Sequence, residues 1–176
     1  MNTLVVYESM FGSTRMIAEA VADALRSTGG VAVSTAAEAP VQLSGYDIVV
    51  IGAPTHAHTL PQPSSRQEAA TWADDPTRGL MLEADALEPG IREWLERMTL
   101  AASEPRFAAF STRADIPRIF AGDATAVIRR QLHRRDLVLD AHQDFLVDSS
   151  SHLLRGEQQR ARDWALSLVP VASRRE

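Results

Sequence analysis

The sequence contains no cysteine. That excludes a disulfide framework, a thiolate zinc site, a thiolate-held cluster and a redox dithiol, so any redox chemistry has to come from a bound group. Long apolar runs are missing as well. Runs such as Ile48–Ile51 fall far short of a bilayer crossing, and MNTLVVYE lacks the basic and apolar regions of a secretion signal. The expected address is the cytoplasm, with no membrane partner. Positive charge is in deficit: 18 Lys and Arg against 23 Asp and Glu leave a formal net charge of −5. A chain built to bind nucleic acid or an anionic surface needs a basic footprint, so neither is an expected partner. Aromatic residues are few, with three Trp and two Tyr. The motifs GxSxG, GxxxxGK[ST] and GxGxxG are all absent, which argues against a nucleophile-elbow hydrolase, a nucleoside triphosphate loop and a close-range pyrophosphate site.

What is present is ordinary globular usage, 45% hydrophobic and 23% charged over 176 residues. One domain over residues 1–170 is expected, followed by a polar tail, 171–176, that frays. Leu4-Val5-Val6-Tyr7 is a short β-branched run, and Met16, Ile17, Ala20, Val21, Ala24 and Leu25 then form one apolar helical stripe ended by Gly29-Gly30. Val31–Val33 and Asp47–Gly52 read as further strands, the latter apolar without alternation, as a strand buried on both faces requires. Ile91, Trp94, Leu95 and Met98 mark a helix opened by Pro89-Gly90, Phe107–Phe110 a fourth strand, and Ala121–Leu132 another helix. Leu137–Leu139 and Phe145–Val147 flank the polar stretch Asp140–Gln143, so the fifth strand is expected to be broken or bulged. Ala161, Trp164, Ala165 and Leu168 give the last stripe. The predicted fold is α/β, a doubly wound five-stranded parallel sheet with helices on both faces.

Such sheets bind ligands beyond the carboxyl ends of their strands, which selects Glu8–Thr14, Ala53–Arg66 and Ser111–Pro117. The first is the most informative. Ser9, Ser13 and Thr14 surround Met10, Phe11 and Gly12 at the start of a helix, where free backbone N–H groups and the helix dipole favour an anion. A lone Ser or Thr there is ordinarily a cap. Three hydroxyls and a glycine within six residues exceed what one cap needs, and without a P-loop lysine or a dinucleotide fingerprint a monophosphate is the anion that fits.

At these residues the chain resembles a known family. Tyr7-Glu8-Ser9-Met10-Phe11-Gly12-Ser13-Thr14 is similar to the phosphate loop of flavodoxin-like proteins, roughly (T/S)-x-x-G-x-T, with Ser9, Gly12 and Thr14 at its fixed positions. Tyr46–His56 resembles the third strand and following flavin loop, and Phe110-Ser111-Thr112-Arg113 falls where the fourth-strand loop borders the flavin ring. GAPTH, a PSSR segment and a GIREWL helix resemble single-domain flavodoxin-like proteins of the kind seen in actinobacteria. The resemblance implies FMN as cofactor, held by Ser9, Met10, Phe11, Gly12, Ser13, Thr14, Pro54, Thr55, His56, His58, Thr59, Ser111, Thr112 and Arg113. It implies electron transfer or flavin-dependent oxidoreduction, with a redox protein or a small acceptor as partner. The chain departs from the family in having no Trp or Tyr in the expected ring loops. His56 or His58 would then contact the ring, and a non-redox binding module that keeps the fold is the alternative function.

The remaining candidates divide simply. His56 and His58, two apart in an extended segment, would project to one side, but no carboxylate or thiolate completes a metal set. Arg129, Arg130, Arg134 and Arg135 end a helix, where cations complement the dipole. Arg113 is the one charged group expected beside the pyrimidine edge of a flavin. A single Glu8 after the first strand, rather than an acidic cluster, argues against a phosphoacceptor domain. No residue is assigned a catalytic role, and Leu80, Met81, Leu82 and Leu87 mark a stretch that would cover a sheet edge or meet a second subunit.

Overall fold

Leu4, Val5, Val6 and Tyr7 are apolar without alternation because β1 (Asn2–Tyr7) runs inside a sheet covered on both faces, leaving only Asn2 exposed. A computed structural model describes residues 1–56, 58–100, 104–117 and 121–169. The tail expected over 171–176 lies outside the described residues. Five strands, β1, β2 (Gly30–Thr35), β3 (Ile48–Pro54), β4 (Arg106–Ala114) and β5 (Leu139–Val147), pair in the order β2-β1-β3-β4-β5, every pair parallel. The predicted doubly wound sheet is therefore observed. The order reverses between β1 and β3, and this switch point is where such a sheet leaves a crevice.

The helices take the two faces as their stripes direct. On one side α1 (Ser13–Leu25) and α5 (Glu157–Ser167) pack Ile17, Val21, Ala161 and Ala165 against Val5, Val50 and Phe110. On the other, α3 (Ile91–Arg97) and α4 (Ala124–His133) pack Trp94, Leu95, Ile128 and Leu132 against Leu4, Val49 and Phe107. Each fully buried aliphatic side chain contributes roughly 1.5–3 kcal/mol. α4 begins at Ala124 rather than Ala121, because the Asp123 carboxylate accepts the Ala126 N–H at 2.9 Å and caps it. Arg135, expected to be merely solvated, donates to the carbonyls of Leu95 and Met98, both at 2.7 Å, and so satisfies the last turn of α3.

β5 is continuous and bulged, not broken. The register steps from Phe107 opposite Leu139 to Ala108 opposite Ala141, so Asp140 is the extra residue. Its carboxylate accepts the Phe107 N–H at 3.2 Å.

A helix whose bounds the sequence reading did not give, α2 (Pro63–Ala73), follows β3, with Pro63 in its first turn. Arg66 of α2 ties this end of the molecule together. Its Nε lies 2.7 Å from Glu8 Oε1 and its Nη2 2.7 Å from Glu93 Oε2. The other Glu8 oxygen accepts the Ile91 N–H at 2.9 Å, and Glu93 also accepts the Gly90 N–H at 2.8 Å. Burial opposes ionisation of Glu93, but Arg66 and the N–H groups opening α3 outweigh it and hold its carboxyl below the usual range. Arg66→Ala leaves the Glu8 carboxylate buried without its counter-ion and is expected to cost about 3–5 kcal/mol in urea unfolding. Arg66→Met combined with Glu8→Gln removes both charges, keeps an acceptor for the Ile91 N–H, and should recover much of that loss.

Candidate functional site

At the carboxyl ends of the strands, beside the switch point, lies a cavity of about 260 Å³. The loop after β1 contributes Met10, Phe11, Ser13 and Thr14, β3 and its loop contribute Pro54, Thr55 and His56, and β4 contributes Thr112 and Arg113. Nine of the fourteen residues expected at a ligand thus line one cavity. The other five stand around it.

At one end is the start of α1. Gly12 is the N-cap in a left-handed conformation (φ 92°), which a side chain would strain, and no side chain caps the helix or places a carboxylate in its first turn. The opening N–H groups of α1 are therefore left for a ligand. Ser9 shapes the turn rather than lining the cavity, its Oγ accepting the Gly12 N–H at 3.1 Å. Thr14 Oγ1 and Thr112 Oγ1 lie 2.7 Å apart and join the first loop to β4, while Ser13 Oγ donates to the Ser151 carbonyl at 2.6 Å. Thr55 Oγ1 accepts the Ala124 N–H at 3.3 Å.

At the other end stand His56 and Trp72, with ring centroids 5.0 Å apart and planes inclined by 48°. Trp72 comes from the last turns of α2 and has the Arg78 guanidinium 5.1 Å from its ring centroid. It sets an indole against a cavity whose loops carry no Trp or Tyr. Sequence reasoning left it out because Trp72 was placed in or near a helix and not in a ligand loop, and the signal for that helix is Pro63 followed by twelve residues free of proline and glycine.

His56 and His58 do not share a side. The chain turns back on itself, with His56 and Thr59 exchanging backbone hydrogen bonds at 2.9 and 3.0 Å. His56 is buried, whereas His58, at φ 68°, is exposed outside the cavity, as Thr59 is outside it. Ser111 is turned from the cavity and donates to Asp144 Oδ1 at 2.9 Å. Arg113 lines the cavity, but its Nε donates to Asp144 Oδ2 at 3.2 Å and its Nη1 to the Ala114 and Ile116 carbonyls, so much of its charge is already compensated. A wall that the sequence reading missed, Val147, Asp148, Ser149 and Ser151, comes from the loop after β5. The Asp148 carboxylate accepts the N–H groups of His152 and Ser150, which hold it below the usual range and orient it into its own loop. The stretch after Trp72 closes over the first loop, where the Glu83 N–H reaches the Met10 carbonyl at 2.8 Å.

Comparison with solved structures places the fold. A flavodoxin from the domain Archaea matches with 16% identity and a TM-score of 0.60 over 96% of each chain. The fold is flavodoxin-like. Oxidised flavodoxin 1 from Bacillus cereus matches at 17% identity with a TM-score of 0.59, covering 94% of this chain and 95% of that one. A WrbA-like flavodoxin from Agrobacterium tumefaciens matches at 17% identity with a TM-score of 0.51, covering 94% and 93%. The family profile described as "Flavodoxin domain" matches residues 4–65, the span from β1 into α2. Comparison with curated protein sequences yields no match. Among the described residues no helix is long and apolar enough to cross a membrane, and no group of three His, Cys, Asp or Glu is arranged to hold a metal.

Burial pushes the His56 imidazole below its ordinary pKa, opposed only in part by the field of Glu68. The unfolded chain then binds a proton more readily than the folded one below pH about 6.5. Stability is therefore full above that pH and falls as the pH drops through the lowered folded-state pKa. In urea titrations between neutral and mildly acid pH, His56→Phe should lose less stability than the wild type.

Proposed function

We propose that the cavity binds FMN non-covalently and that the protein acts as an electron carrier or a small flavin-dependent oxidoreductase, with a redox protein or a small-molecule acceptor as partner. The observation that carries this reading is the pairing, across one cavity at the switch point, of an uncapped helix start with an indole. A flavin mononucleotide has the matching ends, a dianionic phosphate and a flat ring system.

The residues present fit that group. The N–H groups of α1 and the hydroxyl of Thr14 suit the phosphate, whereas Ser13 gives its proton to the Ser151 carbonyl. A hydroxyl both donates and accepts, so Thr14 can keep its partner Thr112 while giving its proton to a phosphate oxygen. Trp72, Met10 and Pro54 provide apolar surface for the ring, which supports the redox reading over a non-redox module. FMN, when bound, supplies electron-transfer chemistry that no side chain of this cysteine-free protein carries. Arg113, with its charge shared by Asp144, serves chiefly to shape the β4 wall beside the ring.

Titration of the purified protein with FMN, riboflavin and FAD, followed by flavin absorbance, tests the reading. FMN should bind saturably at one site and more tightly than riboflavin. Thr14→Val removes a charge-assisted hydrogen bond of about 1.5–3 kcal/mol and should weaken FMN binding roughly ten- to a hundredfold with little effect on riboflavin. Trp72→Ala should weaken both ligands alike. Equal loss of FMN and riboflavin in Thr14→Val would show that the first loop does not touch phosphate.

A further inference from the structure

A single exposed apolar side chain is ordinary. The two most exposed large ones among the described residues, Met81 at 84% and Val138 at 72%, each stand in a charged patch, and the two patches are of opposite sign. Val138 lines a cleft of about 450 Å³ between the last turns of α4 and the start of β5, together with Leu137, Leu139, Arg129, Arg130 and His133. Arg129, Arg130 and Arg134 are exposed and have no ion-pair partner among the described residues. Asp140 is taken up by the Phe107 N–H and by Arg106, and neither it nor Asp136 lines the cleft. The helix dipole accounts for cations at this end of α4, but not for the bare valine among them.

Met81 belongs to residues 74–88, the stretch between α2 and α3, where Leu87 is exposed as well. Within it Glu83 is paired with Arg15 and Asp75 with Arg78, which leaves Asp74, Asp85 and Glu88 without an ion-pair partner among the described residues. The acidic stretch reaches Met10 beyond the carboxyl end of β1, whereas the basic cleft precedes β5 at the amino ends of the strands. One molecule cannot bring the two together. We propose that the cleft docks residues 74–88 of a second copy of this chain, head to tail. Met81 and Leu87 cover Val138, and the guanidinium groups of Arg129 and Arg130 face Asp85 and Glu88. Pairing of either patch with its own copy would set like charges against each other, so a two-fold contact is disfavoured and a heterologous one is left. Such a contact leaves a free cleft at one end and a free acidic stretch at the other, and association therefore continues with concentration instead of stopping at a dimer. The net charge of −5 on each copy opposes the approach and keeps the contact weak and reversible.

The experiment is sedimentation velocity on the full chain from about 10 to about 500 µM, in about 0.15 M salt so that long-range repulsion between copies is screened. The sedimentation coefficient of the wild type should rise with concentration. Arg129→Glu with Arg130→Glu, and separately Asp85→Lys with Glu88→Lys, should each stay monomeric throughout. An equimolar mixture of the two variants should associate again, since one supplies an intact acidic stretch and the other an intact cleft. A wild type that stays monomeric at every concentration overturns the inference, as does a variant that associates alone like the wild type or a mixture that stays monomeric. The wild-type series and either variant are each able to overturn it, so the loss of one variant to misfolding leaves the test intact. No FMN is needed, and failure of the FMN reading leaves this contact standing.

Discussion

Arg66 is 3% exposed between Glu8 at the end of β1 and Glu93 in the first turn of α3, and a guanidinium so placed leaves its neighbours little freedom. Its planar fork engages two carboxylates at once, which fixes direction as well as distance. Through Glu8 it is coupled to the residue that opens the first loop. Through Glu93 it is coupled to the start of α3. The cost appears in the sequence at Gly90, where a β-carbon would stand 2.2 Å from the Glu8 carboxyl and 2.4 Å from Arg66 Nη2, so a larger residue would have to push the ion pair aside. Trp72 sits on the same helix as Arg66, and the indole reaches the cavity only because α2 is anchored there.

The two ends of the cavity are built on different principles. The end at α1 is local: a strand, a short loop with a left-handed glycine and a helix lie consecutively in the chain, and the backbone itself supplies the donors. The end at Trp72 is assembled from afar, with one ring from the turn after β3 and another from the far end of α2. Thr14 and Thr112, 98 residues apart, share a hydroxyl contact that joins the start of α1 to β4. A ligand spanning the cavity is therefore held by segments that the core of the sheet positions independently.

That division explains what could be read from the sequence. The β1–loop–α1 unit was legible because its signals, an apolar run, small residues and a 3.6-residue stripe, are consecutive. α2 was not, since its buried positions are Ser65, Arg66 and Ala69, and a helix held by a guanidinium rather than by an apolar stripe carries no periodic hydrophobic signal. The spacing of His56 and His58 suggested a shared face, but a tight turn separates them, and spacing predicts direction only within a regular element. The loop after β5 was passed over because its strand reads as polar.

The polarity of β5 has its own consequence. β5 is one of the two edge strands, and such a strand offers unpaired backbone groups along its free side to any other chain that can extend the sheet. Asp140 interrupts the ladder with a bulge, and His142 beyond it is exposed. A kink and solvated polar side chains make this border a poor template for edge-to-edge growth, so the residues that disguise the strand in the sequence also protect the folded protein from aggregation.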